Sequence, residues 1–68
     1  MNKDQILEIA RQDAMTKYRD LSLYEVTATW TGDSWHVMFT LKDKLADGGG
    51  PEYMIDKFGK IISKDYYQ

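Results

Sequence analysis

The sequence predicts an α+β domain in which one N-terminal helix packs on an antiparallel meander of three to four strands. Two observations indicate this fold class. Apolar residues first recur at helical spacing, and from about residue 23 they alternate with polar residues in short runs. Short turn-forming segments separate most of these runs, which favours antiparallel neighbours. A chain of 68 residues has room for one such domain, so we expect residues 1–68 to fold as a single unit.

The helix is predicted over about residues 3–19. Residues at spacings of three and four place one apolar face on it: Ile6, Ile9, Ala10, Ala14 and Tyr18. Asn2 and Gln5 have the spacing of a capping box, in which each side chain accepts a backbone N–H from the other residue. We therefore expect the helix to begin directly after Asn2.

Two strands are predicted at about 23–31 and 35–41, because both segments alternate and are rich in β-branched and aromatic residues. Gly32-Asp33 between them predicts a tight hairpin turn. Antiparallel pairing across this turn would bring Trp30 and Trp35 together on the core face of the sheet.

Two further strands are predicted at about 51–56 and 61–66, after a loop over residues 42–50. Pro51 suits the first position of a strand, where its missing N–H does little harm. Asp56 begins the next turn, ahead of Gly59, and its carboxylate is placed to accept backbone N–H groups.

The second face of the sheet is expected to point toward solvent or a partner. The residues predicted on it are of mixed polarity: Glu25, Thr27, Thr29, His36, Met38, Thr40, Glu52 and Met54.

Composition disfavours several classes of partner. The net charge is −2 and no run of Lys or Arg occurs, so a surface that follows nucleic-acid phosphates is not expected. The apolar runs are too short to span a bilayer, so we expect no membrane association. The polar N-terminus leads straight into the helical pattern and lacks the features of a signal peptide, which predicts a cytoplasmic protein.

The residues that could carry chemistry favour a protein that is not an enzyme and needs no cofactor or metal. The glycines at 48–50 precede Pro51 and a strand, whereas phosphate-binding loops lead into a helix N-terminus. His36 is the only histidine, and the chain has no cysteine. The aspartates are scattered through turns and do not have the alternating spacing of a calcium loop.

One stretch resembles a known family: Gly48-Gly49-Gly50-Pro51, then Tyr53, Ile55-Asp56 and Gly59-Lys60-Ile61, ending in Gln68. Together with Trp35, Val37 and Phe39 upstream, it is similar to short bacterial nuclear transport factor 2-like fold immunity proteins. The resemblance implies a protein that neutralises a bacterial toxin or effector, encoded nearby, by occlusion. The helix and the Ile55-Asp56 to Ile61 segment are also similar to PepSY domains, which would imply an inhibitory or regulatory module.

Candidate partner-binding residues lie in the glycine loop, on the outward sheet face and in the tail: Asp47, Gly48, Gly49, Gly50, Pro51, His36, Met38, Met54, Tyr66 and Tyr67. For the glycines, a conformational role in the loop is the favoured reading, and contact with a partner is the alternative. The partner is expected to be another protein. A second copy of the chain, paired through a sheet edge or the Met38/Met54 face as a homodimer, is the alternative.

Overall fold

The structure, a computed structural model, describes residues 1–43 and 49–66. The described residues form helix α1 (Lys3–Ala14), a 3₁₀ turn (Leu21–Leu23) and four strands, β1 (Tyr24–Trp30), β2 (Ser34–Leu41), β3 (Glu52–Asp56) and β4 (Ile61–Asp65). All neighbouring strands pair antiparallel, in the order β1-β2-β3-β4. The α+β prediction is therefore confirmed. No helix in the described part of the chain is long and apolar enough to cross a membrane.

Helix α1 starts as predicted but ends earlier. Asn2 and Gln5 form the reciprocal capping box, with both N···O distances at 2.9 Å. The helix stops at Ala14 instead of near residue 19, because the next turn tightens. The Thr16 N–H and hydroxyl both donate to the Asp13 carbonyl, and the Lys17 N–H donates to Ala14 three residues back. These shorter-range bonds satisfy carbonyls that a continuing helix would have used.

The first hairpin follows the predicted register, and each strand boundary lies within one residue of its predicted position. Trp30 pairs with Trp35, and their ring centroids are 5.5 Å apart. Gly32 has a φ of 101°, which suits the first central position of a type II′ turn. Trp30 is not part of the buried core, since the residue is 44% exposed at the end of the sheet.

The second hairpin depends on Asp56, as the sequence suggests. Its Oδ1 accepts the backbone N–H groups of Phe58 and Lys60, each at 2.9 Å. Gly59 has a φ of 89°, and its N–H donates to the Asp56 carbonyl. This arrangement is a three-residue hairpin loop in which glycine takes the left-handed position.

A bulge joins the glycine loop to the sheet. The Phe39 N–H donates to the Pro51 carbonyl, while the Phe39 carbonyl accepts the Gly50 N–H, both at 3.0 Å. Two residues of the incoming chain therefore oppose one residue of β2. A Cβ atom at Gly50 would lie 2.6 Å from Phe39 Cβ and 2.9 Å from the Phe39 carbonyl oxygen. Gly50 is needed here for close approach between backbones.

The core lies between α1 and one face of the sheet. The fully enclosed residues come from the helix and from every strand except β4: Ile6, Ala10, Ala14, Ala28, Val37, Phe39, Tyr53 and Ile55. The alanines present small side chains to the sheet, and Tyr53 is the largest of the fully buried side chains. The opposite face of the sheet has no covering layer among the described residues.

We predict that Gly50→Ala lowers the free energy of unfolding by about 2 kcal/mol, because the added methyl group overpacks against the β2 backbone. Urea denaturation followed by tryptophan fluorescence measures this loss. Ser63→Ala, at an exposed strand position, is the control and should change stability by less than about 0.5 kcal/mol. If Gly50→Ala were as stable as this control, the close approach at the bulge would not exist.

Candidate functional site

The uncovered sheet face gathers three of the candidate residues at its centre. We call it the open face, and it consists of Glu25, Thr27, Thr29, His36, Met38, Thr40, Glu52, Met54, Ser63 and Asp65. His36 lies directly opposite Met54, and Met38 lies directly opposite Glu52. His36 Nε2 is 3.3 Å from Glu52 Oε1, which links the two pairs diagonally. These four side chains are half-buried, although no other layer covers the face within the described chain.

The open face is built of two complete rows that cross all four strands. One row runs Thr27, Met38, Glu52, Asp65, and the other runs Thr29, His36, Met54, Ser63. The side-chain period of two in each strand places these residues together and sends the alternate residues to the core. The result is a sheet surface with two thioether groups, one imidazole and one carboxylate at the middle and smaller polar groups around them.

The tail candidate Tyr66 lies on the other side of the sheet. Its hydroxyl donates to Asp13 Oδ2 at 2.5 Å, and the buried Tyr53 hydroxyl donates to the same oxygen at 2.9 Å. Lys64 Nζ is 3.3 Å from Asp13 Oδ1. One helix carboxylate thus holds together the end of α1, β3, β4 and the segment that follows β4.

Asp13, Tyr53, Lys64 and Tyr66 form what we call the Asp13 cluster, in which the carboxylate charge of Asp13 meets the ammonium group of Lys64 and two phenol hydroxyls. Partial burial pushes the pKa of Asp13 up, but the hydrogen bonds from Tyr66, Tyr53 and Lys64 outweigh it and hold the pKa below its usual value. Burial, followed by the hydrogen bond to Asp13, raises the pKa of the Tyr53 phenol. The hydrogen bond to Asp13 also raises the pKa of the Lys64 ammonium. Asp13 is therefore ionised near neutral pH, while both of these partners keep their protons.

Aromatic rings pack around the Asp13 cluster. Tyr66 packs edge-on against Tyr53 and also meets Tyr18, with both centroid distances at 6.3 Å. The ammonium groups of Lys17 and Lys64 each lie 5.8 Å from the Tyr66 ring centroid. The Tyr66 ring is thus fixed by several contacts at once, which favours a structural role for this residue.

The described candidates from the glycine loop also favour a structural role. Gly50 and Pro51 are buried against the sheet, so their burial favours the conformational reading over direct contact with a partner. Gly49 is half-buried beside them. The remaining candidates Asp47, Gly48 and Tyr67 lie outside the described residues. The structure therefore brings together His36, Met38 and Met54 and leaves the other described candidates elsewhere.

Asp13 is the residue that sequence reasoning missed, although the sequence carries a signal for it. Starting from Ile6, the buried positions of a helix recur at three, four, seven and eight residues, and Asp13 stands at the seventh. An acidic residue within an apolar stripe requires hydrogen-bond partners when it folds against a core. Its partners, however, are distant in the chain and cannot be paired with it from spacing alone.

In the described part of the chain, no group of three or more His, Asp or Glu side chains has a geometry that could hold a metal ion. Comparison with protein-family models, with curated proteins and with solved structures gave no match in any of the three. The similarity to immunity proteins and to PepSY domains therefore remains a prediction from the residues that carry it.

We predict that Asp13→Asn lowers the free energy of unfolding by about 2 kcal/mol at pH 7, because charge-assisted hydrogen bonds are lost. Asp13 has a lowered pKa in the folded protein, so its contribution is present above the usual carboxyl pKa of 3.8 and disappears as pH falls through the folded value. The difference in unfolding free energy between wild type and Asp13→Asn should therefore begin to shrink below about pH 3.8 and disappear as pH falls through the lower pKa of the folded protein.

Urea denaturation at a series of pH values from about 7 down to about 2 measures how this stability difference shrinks. Asp33→Asn, in the exposed first turn, is the matched control and should follow wild type within about 0.5 kcal/mol at neutral pH. A stability difference for Asp13→Asn that stayed constant over the whole range would contradict the ionic role of Asp13.

Proposed function

We propose that this chain is a small binding protein that neutralises a partner protein by occlusion, in the manner of an immunity protein. The open face is the observation that carries this proposal. It presents Met38 and Met54 side by side with His36, although these residues come from two different strands. The resemblance of the glycine-rich stretch to immunity proteins supports the same function independently.

The anatomy of the open face fits protein recognition. Specific interfaces combine an apolar centre with a polar rim, and methionine is enriched at such centres because its thioether adapts to many shapes. On the open face Met38 and Met54 share the centre with His36 and Glu52, and threonine, serine and aspartate side chains surround these four. A shallow surface of this kind acts by covering the partner and needs no chemical step.

The packing behind the open face supports occlusion as the mode of action. The two central strands of this face, β2 and β3, are packed in the core on their opposite side through Val37, Tyr53 and Ile55. A preorganised surface loses less conformational entropy on binding than a flexible loop does. The Asp13 cluster adds to this by holding β3 and β4 to the end of the helix.

The direct test is co-expression of the chain with the protein encoded beside its gene. We predict that the chain binds that protein and relieves its toxicity, and that Met38→Arg weakens binding at least about tenfold by placing a bulky charge at the interface centre. Met15→Arg is the matched control, since Met15 is an exposed methionine at the end of α1, and it should leave binding within about twofold.

Two results would count against occlusion by the open face. Either the neighbouring protein fails to bind, or Met38→Arg binds as tightly as Met15→Arg. Light scattering on the chain alone tests self-association, the alternative use of the same face. A monomer at high concentration leaves the open face available to another protein, whereas a dimer disrupted by Met38→Arg would replace occlusion with self-association.

A further inference from the structure

Within the four strands, acidic side chains are concentrated on the open face. Glu25, Glu52 and Asp65 all lie on the open face. Lys64 is the only Lys or Arg within the four described strands, and its side chain turns to the helix side, where it meets Asp13. These three carboxylates outweigh the net charge of −2 of the whole chain, so the rest of the chain carries a small net positive charge.

The arrangement of these carboxylates lowers the stability of the fold. Glu52 and Asp65 lie directly opposite each other across the β3–β4 ladder, and like charges in that position repel. The His36 imidazole lies 3.3 Å from Glu52 Oε1 on this face. No Lys or Arg among the open-face residues offsets the pair. A cationic partner would relieve this repulsion and gain from the same carboxylates.

We propose that the open face docks a basic protein surface, one in which Lys and Arg side chains surround an apolar centre. The Lys and Arg groups would meet Glu25, Glu52 and Asp65, and the apolar centre would meet Met38 and Met54. Complementary charge of this kind directs encounter and excludes wrong partners. It also disfavours nucleic acid and anionic lipid, because both would bring further negative charge to the carboxylates.

This inference rests on the proposed binding function but is tested without the natural partner. The probe is an octalysine peptide, with octaglutamate as the opposite-charge control, titrated into the isotope-labelled full chain and followed by amide chemical shifts. Octalysine should shift the amides of β2, β3 and β4 around Met38, Met54 and Asp65, and added salt should reverse these shifts. Octaglutamate should leave the same amides unchanged.

Two triple variants, each of which removes three carboxylate charges, test where octalysine binds. The triple variant Glu25→Gln, Glu52→Gln, Asp65→Asn should weaken octalysine binding by about tenfold, as expected for three exposed ion pairs. The triple variant Asp4→Asn, Glu8→Gln, Asp33→Asn removes three exposed carboxylates from the helix and the first turn instead. It should weaken binding by less than about twofold, because these groups do not lie on the open face.

Equal effects of the two triple variants, or octalysine shifts spread over all carboxylates of the chain, would overturn the inference. Failure of the binding function is a separate result. If the neighbouring protein binds wild type and the open-face triple variant equally well, occlusion stands and the basic partner is refuted. If no neighbouring protein binds while octalysine still localises to the open face, the charge inference stands and the immunity function falls.

Discussion

Helix α1 packs Ile6, Ala10 and Ala14 against one side of the sheet, and the remaining features of the structure depend on this one-sided burial. A helix of 12 residues can cover only one face of a four-stranded sheet. Most of the apolar residues that alternate along the strands turn toward the helix, which leaves the open face to a mixed set of side chains that includes Met38 and Met54. The same sequence pattern therefore builds the core and the candidate binding surface.

The Asp13 cluster is the polar counterpart of that packing. A domain of this size buries a small apolar area, so additional links between its elements matter more than in a larger protein. The Asp13 carboxylate joins α1 to Tyr53, Lys64 and Tyr66, which come from β3, β4 and the segment after it. Because this cluster lies on the helix side, it fixes the sheet without occupying the open face.

Much of the fold could be predicted from local pattern, because its elements follow helical and strand periods closely. The pairing of Trp30 with Trp35 and the role of Asp56 in the second hairpin both depend on residues close in sequence. The end of α1 could not be placed, since the Thr16 bonds that tighten its last turn compete with a helical pattern that continues to Tyr18. The bulge at Gly50 and the partners of Asp13 depend on contacts between distant residues, which spacing does not reveal.

The candidate site residues, too, could be predicted where strand alternation places them and not elsewhere. Alternation was sufficient to place His36, Met38 and Met54 on one face, because a strand has only two faces. It was not sufficient to separate Tyr66 and the Gly50-Pro51 segment from that face, since both lie outside regular strands. Burial of Gly50 and Pro51, and the hydrogen bond and ring contacts of Tyr66, favour a structural role for these residues over contact with a partner.

The open face is negatively charged and is uncovered within the described residues, and the four methionines of the chain offer a direct measurement of both properties. Their methyl groups can be labelled with ¹³C, and their relaxation compared in the presence of a cationic and an anionic nitroxide of equal size. The methyl groups of Met38 and Met54 should relax faster with the cationic probe, whereas that of Met15 at the helix end should show a smaller preference. If Met38 and Met54 were protected from both probes, or showed the same preference as Met15, the account of an accessible acidic binding face would be contradicted.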